Sequence, residues 1–531
     1  MEAVIQHKKV ACMEFVYGYT IKFYMKPPLI QTLGVLCFGL AAVMADDKPF
    51  DYTAVQAIAT KLAQESYRVQ KPLPRTIRDL SYDQMRDIRF IPKNAVWRME
   101  RLPFQLQMFH PAKLQAQRVH LHLVEGEAVH DVPFRSMWFD YGNLTLRESV
   151  LSEMEYAGFR VHYPLNRLDY LDEVAVFLGG SYFRALGKGQ LYGLSARGIA
   201  INTGSSGPEE FPQFTEFWVE RPDRSATTLR LYALLEGPSV TGAYQFLIKP
   251  GRESVIEVKA TVYARHKLDK VGMAALTSMF WYGKTTSRRW GDFRPEVHDS
   301  DGMLIQNGRN EWLWRPLVND GHLRLSYFLD DNPRGFGLLQ RERRFSAYED
   351  LEARYQMRPS AWIEPVGNWG RGAVRLVELP SQWEYDDNIV AFWEPEGGLE
   401  PGKPLELAYR MWWMIDQPSA LPGSHCAATR VMDVPKEENY HFVAEEDAKR
   451  FVLDFEGGAL PVDPNARVTP VVTSGNGAIR NLYIRRNEFN GTWRVGFEAK
   501  LETRRRPVEL RCFLKDDKRV LSETWSYLWM P

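Results

Sequence analysis

Leu229-Arg230-Leu231-Tyr232-Ala233 alternates its aliphatic positions with polar or amphipathic ones. Every second side chain of a strand points to the same face, so this pattern predicts a strand with one face buried. The pattern recurs at Val119-His120-Leu121-His122-Leu123, Val258-Lys259-Ala260-Thr261-Val262 and Leu323-Arg324-Leu325-Ser326-Tyr327. Between such runs stand Lys249-Pro250-Gly251 and Asp331-Asn332-Pro333, residues that favour turns and interrupt strand pairing. Helical spacing is confined to one short stretch from Asp51 to Leu62, where Val55, Ile58 and Leu62 share a face. Many short strands with few helices predict an all-β sandwich.

The second strand series runs Phe451–Phe455, Val468–Val472, Ile479–Ile484, Trp493–Phe497, Val508–Phe513 and Thr524–Leu528. Before it lies Gln417-Pro418-Ser419-Ala420-Leu421-Pro422-Gly423, which has linker composition. The organisation expected is therefore a large β-sandwich over 46–414, a linker over 415–426, and a small one over 427–531. Six or seven strands in roughly 100 residues match an immunoglobulin-like sandwich.

Lys plus Arg and Asp plus Glu number 67 each, so the 531-residue chain has no net charge. Without a basic excess, nucleic acid is an excluded partner class. Sixteen Trp and 24 Tyr bring aromatic residues to 13% of the chain. Flat amphipathic rings serve ligands with an apolar face and a polar rim, as sugars have, and they serve large β cores equally.

From Met25-Lys26 the chain continues through an apolar run to Val43-Met44-Ala45, and Asp46-Asp47 follow. This is the layout of a secretory signal peptide starting at Met25 and cleaved after Ala45, with residues 1–24 an upstream extension. Export would remove Cys12 and Cys37. Cys426 and Cys512 remain, as a disulfide or as two buried thiols.

Familiar motifs fail on their spacing. Gly283-Lys284-Thr285 has Ser278 where a phosphate loop needs Gly. His120 and His122 share a strand face but have no third ligand in register, so no metal is expected. Asn490-Gly491-Thr492 is read as a hairpin turn. More suggestive are the loop Val297-His298-Asp299-Ser300-Asp301-Gly302 and the segment Trp383-Glu384-Tyr385-Asp386-Asp387-Asn388. The latter lies between the expected strands 373–379 and 389–393. Acids among aromatics on such loops suit general-acid chemistry on a sugar, because a partly desolvated carboxyl keeps its proton longer. A merely solubilising acidic turn reads the same.

Several segments carry a family resemblance: Gly180-Ser181-Tyr182-Phe183-Arg184, Tyr192-Gly193-Leu194-Ser195-Ala196-Arg197-Gly198, Glu209-Glu210-Phe211-Pro212, Gly335-Phe336-Gly337-Leu338-Leu339-Gln340 and Asp387-Asn388-Ile389-Val390. They resemble the periplasmic glucan biosynthesis proteins of Gram-negative bacteria, the OpgG/OpgD (MdoG/MdoD) family, from about residue 50 to Tyr527. The resemblance implies a galactose-mutarotase-like β-sandwich followed by the immunoglobulin-like one, and a periplasmic protein without cofactor. It implies work on osmoregulated periplasmic glucans with a β-1,2-linked backbone, as an inverting endo-β-1,2-glucanase. In that mechanism Asp387 is the acid, Glu384 its loop neighbour and Asp299 the base or relay member. Tyr355 and Arg358 match substrate-contacting positions. Transglycosylation, or a non-catalytic glucan-binding partner of the inner-membrane glucan synthase, are the alternatives. A homodimer is a further partner expectation.

Overall fold

Phe159, Phe177 and Phe183 meet Phe217 and Phe246 across the middle of the protein, with centroid distances of 5.0 Å for Phe159–Phe217 and 5.3 and 5.2 Å for Phe177 and Phe183 to Phe246. These rings project from two facing sheets. The computed structural model describes residues 49–113, 115–287, 291–421, 423–438 and 441–531. The expected leader and upstream extension, with Cys12 and Cys37, lie outside them. Among the described residues one sheet has 14 strands and the other nine. The all-β sandwich is thus the observed fold.

The alternating runs occupy strands His120–Glu125, Leu229–Glu236, Ser254–Ala264 and Arg324–Asp331. Leu229, Leu231 and Ala233 point into the core as expected, but Tyr232 on the opposite face is also buried. The helix explains this. Asp51 caps helix Tyr52–Ala63 by accepting from the backbone N–H of Thr53 at 2.8 Å. Its Val55 and Ala59 then pack on Trp218, Tyr232 and Leu234, covering the outer face of the large sheet.

Residues 427–531 contain the six expected strands, and two sheets enclose Phe451, Phe497, Trp525 and Tyr527. One of those sheets is shared. Strand Thr524–Trp529 pairs in parallel with Trp312–Pro316, with Leu313 opposite Thr524 and Trp314 opposite Trp525, which places the C-terminal strands at one end of the 14-stranded sheet. The expected linker leaves the sheets until His425, where strand His425–Glu438 begins. Across this junction Arg341 is buried. It donates to both Glu523 oxygens at 2.6 and 2.8 Å and lies 3.6 Å from the Trp314 ring centroid. Cys426 and Cys512 are both buried free thiols.

Glu378 closes strand Arg371–Glu378 close to Tyr527 of the C-terminal strands, and accepts from the Val318 N–H at 2.8 Å. Burial pushes its carboxyl from 4.5 up to about 7, opposed by buried Arg324. Between those two pH values the folded chain holds a proton that the unfolded chain has lost. Stability from this group is therefore full below about 4.5 and falls as pH rises to about 7, by on the order of 3 kcal/mol in total. Glu378→Gln should remove that fall. Urea unfolding across the window measures it, and equal slopes in both proteins would refute the assignment.

Candidate active site

Strand Val271–Ser278 is buried along its whole length and pairs antiparallel with Ile389–Pro395, with Ser278 opposite Ile389. Beyond that rung the two chains separate into loops. One passes through Met279 into the short strand Phe280–Tyr282, which pairs with Val297–His298 and delivers Asp299. The other carries Trp383, Glu384, Tyr385, Asp386 and Asp387. Asn388 joins them. Its amide nitrogen donates to the carbonyls of Phe280 and Leu379 at 3.0 Å each, and its amide oxygen accepts from the Phe280 N–H at 2.9 Å. The Asp299 N–H in turn donates to the Met279 carbonyl at 2.8 Å. Both candidate acids are thus anchored to the same Met279-Phe280 segment.

Asp299 is 5% exposed and its carboxylate pairs with Arg358 at 2.5 Å. The Arg358 guanidinium also sits 4.3 Å from the Tyr355 ring centroid and donates through Nε to the Ala353 carbonyl at 3.2 Å. A Cβ at position 193 would lie 2.8 Å from the Arg358 Cβ, so Gly193 is what admits this arginine. The family resemblance implies a substrate-contacting Arg358, and the structure places it 7% exposed and bound to Asp299.

Glu384 pairs with Arg294 at 2.5 Å, and Arg294 also binds Asp292 at 2.7 Å and Asp350 at 3.0 Å. Tyr355 is buried, and that burial raises its hydroxyl pKa. Arg358 opposes the rise, and the charges of Glu384 and Asp299 add to it. Asp299, Glu384, Tyr355 and Arg358 therefore form one cluster. Asp387 borders it. Water reaches its side chain, yet the surrounding protein is dense enough to raise its pKa by desolvation. Among the charges, Arg184 and Arg197 pull that pKa down, while Asp299 and Asp386 push it up. Both properties belong to a carboxyl at the surface with dense protein packed beneath it.

Tyr182, Arg184 and Arg197 were not singled out from the sequence as site residues. They lie on strands Tyr182–Ala185 and Ser195–Ile201, beside Asp387. Arg184 donates to the Ser195 hydroxyl at 2.7 Å, and Arg197 to the Thr277 hydroxyl at 3.0 Å and Glu209 at 2.7 Å. The available signal was their place inside two of the family-like segments, Gly180–Arg184 and Tyr192–Gly198. Arg294 had none. Trp383 and Tyr385 stack at 5.9 Å with 12° between their planes, and Trp383 is half exposed.

His122 lies on the outer face of the large sheet instead. It is held by Asp131 at 2.7 Å and Glu216 at 3.3 Å and stacks on Trp218 at 5.1 Å.

Fold and loops define the class: an all-β sandwich protein with acids and aromatics gathered where two loops leave its nine-stranded sheet. Residues 50–529 match the model of a family described as periplasmic glucan biosynthesis protein, MdoG, and the chain belongs to that family. It is 45% identical over 510 residues to Glucans biosynthesis protein G of Ralstonia nicotianae, covering 93% of this chain and 99% of that protein. Its identity to the protein of that name from Pseudomonas aeruginosa PAO1 is 44% over 495 residues, covering 92% of this chain and 94% of that one. The family description places its members in the periplasm, and no helix of the described residues is long and apolar enough to cross a membrane.

Arg358→Ala leaves Asp299 buried beside no compensating charge. Breaking one side of a buried pair costs about 3–5 kcal/mol. We expect a loss of that size in urea unfolding, and unchanged stability would show that the pair does not hold the loop.

Proposed function

We propose that the protein is an inverting endo-β-1,2-glucanase acting on the backbone of periplasmic glucan. The observation that carries this reading is the asymmetry of the two acids. Asp387 is open to water with a raised pKa, so it can hold a proton for the leaving oxygen. Asp299 is buried and paired with Arg358, which suits a group kept as carboxylate.

Inversion needs a proton delivered on one side and water activated on the other. Asp299 has little contact with solvent, so we assign it to the end of a relay through a substrate hydroxyl or water, not to direct capture of the water proton. Glu384 is tied to Arg294 and shapes the loop electrostatically beside Tyr355. The Trp383–Tyr385 pair supplies an apolar shelf for a glucose ring. Membership of the family supports glucan as the ligand class. A second reading, non-catalytic binding in support of the membrane synthase, is favoured by one observation: the Asp299 carboxylate is already occupied by Arg358.

Asp387→Asn keeps the shape of the acid and removes its transferable proton. Glucan binding should survive while turnover on linear β-1,2-glucan falls by about 10²–10⁴-fold. Reducing-end release measures turnover, and NMR of the fresh product reads the anomer. Undiminished turnover would remove Asp387 as the acid. Retention of configuration would reject the inverting mechanism, and the appearance of longer chains would indicate transglycosylation. A wild type inactive on every β-1,2-glucan would leave the binding role.

A further inference from the structure

His298 precedes Asp299 and is fully buried. Its ring stacks on Phe280 at 5.3 Å and meets the edge of Tyr348 at 5.3 Å. Both ring nitrogens have close partners: Nδ1 lies 2.8 Å from the Gln340 side-chain oxygen, and Nε2 lies 3.0 Å from a Glu296 carboxylate oxygen. An amide side chain leaves open which of its ends is oxygen until its other contact is known. Here that contact decides. The opposite end of Gln340 lies 2.7 Å from the His298 carbonyl oxygen, which can only accept, so that end is the NH₂ and the end facing Nδ1 is the oxygen.

Nδ1 therefore faces an acceptor, and so does Nε2. A neutral imidazole carries one N–H and one lone pair, so in either tautomer it would set a lone pair against an oxygen. Lys284, 3.0 Å away, favours Glu296 as a carboxylate that can only accept, and the ring then satisfies both partners only with two N–H groups.

We propose that His298 is held as an imidazolium and acts as a positioning residue for Asp299. Gln340 grips it twice, at the ring and at the carbonyl of the peptide bond that leads into Asp299. Glu296 supplies the counter-charge and is itself paired with Lys284 at 3.0 Å, which continues to Glu342 at 2.9 Å. Asp301 and Arg341 line, with His298, Glu296 and Lys284, a cavity of about 30 Å³. The ring thus fixes the backbone from which the Asp299 carboxylate reaches Arg358. The catalytic consequence rests on the glucanase reading above, whereas the charge and the clamp stand apart from it.

The test uses the full mature chain labelled with [¹⁵N]histidine. Long-range ¹H–¹⁵N correlation at neutral pH should show His298 with two similar, protonated nitrogens, assigned by their loss in His298→Phe, which keeps the stacked ring. Should that variant not fold, Gln340→Met serves: it removes the acceptor at Nδ1 and should split the two shifts. Hydrogen exchange of the peptide containing Asp299 should quicken in either variant, with protection of the distant strand Leu229–Glu236 unchanged. On β-1,2-glucan, kcat should fall by about 10–100-fold, as a displaced catalytic group costs, with KM changed about twofold or less. One protonated and one bare nitrogen in the wild type would overturn the proposal, as would unaltered exchange at Asp299 in a folded variant. A wild type that cleaves no glucan would defeat the glucanase reading alone, and the spectrum and exchange would still decide the role of His298.

Discussion

Three of the hydrogen-bonding groups on the Asn388 side chain are committed to main chain, and on that commitment the geometry of the site depends. Antiparallel pairing fixes the register up to Ser278 and Ile389 and then ends, because the two chains part there. A loop beyond the last rung would ordinarily be free to vary. Asn388 replaces the missing rungs by offering Phe280 both a donor and an acceptor, as a neighbouring strand would, and adds a third bond to Leu379. An aspartate in its place would accept but not donate, and two carbonyls would face a carboxylate. The residue beside the acid is therefore specified by backbone geometry, whatever chemistry the acid performs.

Charges around this clamp are buried in pairs. Arg358 with Asp299 and Arg341 with Glu523 are shielded from bulk water, and Lys284 with Glu296 is mostly so. Such pairs add little net stability compared with apolar packing, but removing one partner is costly, so they enforce a unique arrangement. Arg341 shows the consequence at the largest scale. Its partner Glu523 lies 182 residues away, and Trp314 beneath it stands opposite Trp525 in parallel register. The final strands are thereby joined to Trp312–Pro316, the neighbour of the strand Gly302–Gln306 that follows the Asp299 loop.

Legibility from sequence followed solvent exposure. The run over Arg324–Asp331 shows its alternation and located a strand, but not its inner face: Leu323 and Tyr327 are exposed, while Arg324 and Ser326 are buried. Val271–Ser278 and Ser195–Ile201 are buried on both faces, so they carry no period of two and left no trace, although they form the centre of the nine-stranded sheet and support the site. The parallel joining of residues 313 and 524 is likewise absent from local pattern, since nothing near either residue names its partner. Asp387 and Asp299 were found through family-like motifs and acid–aromatic loops. The pairing of Asp299 with Arg358, 59 residues apart, required the fold, as did the commitment of Arg358 to a carboxylate. Gly193 was quoted as part of a motif, but its reason became visible only when a Cβ there was seen to collide with Arg358.

The unequal surroundings of the two acids set the direction of any proton movement between them. Asp387 loses solvation to the surrounding protein but remains in contact with water, and the nearby negative charge of Asp299 favours its protonated form. Once Asp387 gives its proton away, that same repulsion must be borne, and Arg184 and Arg197 are placed to offset it. Asp299 has the opposite problem. Taking up a proton would leave Arg358 facing a neutral acid in a buried site, so uptake is favourable only if Arg358 finds other acceptors, such as the Ala353 carbonyl it already touches. In the proposed reaction, an incoming glucan hydroxyl next to Asp299 would supply one more. Substrate binding and base activation then become a single event. Without substrate Asp299 stays paired with Arg358, so the resting protein holds no unpaired buried charge there.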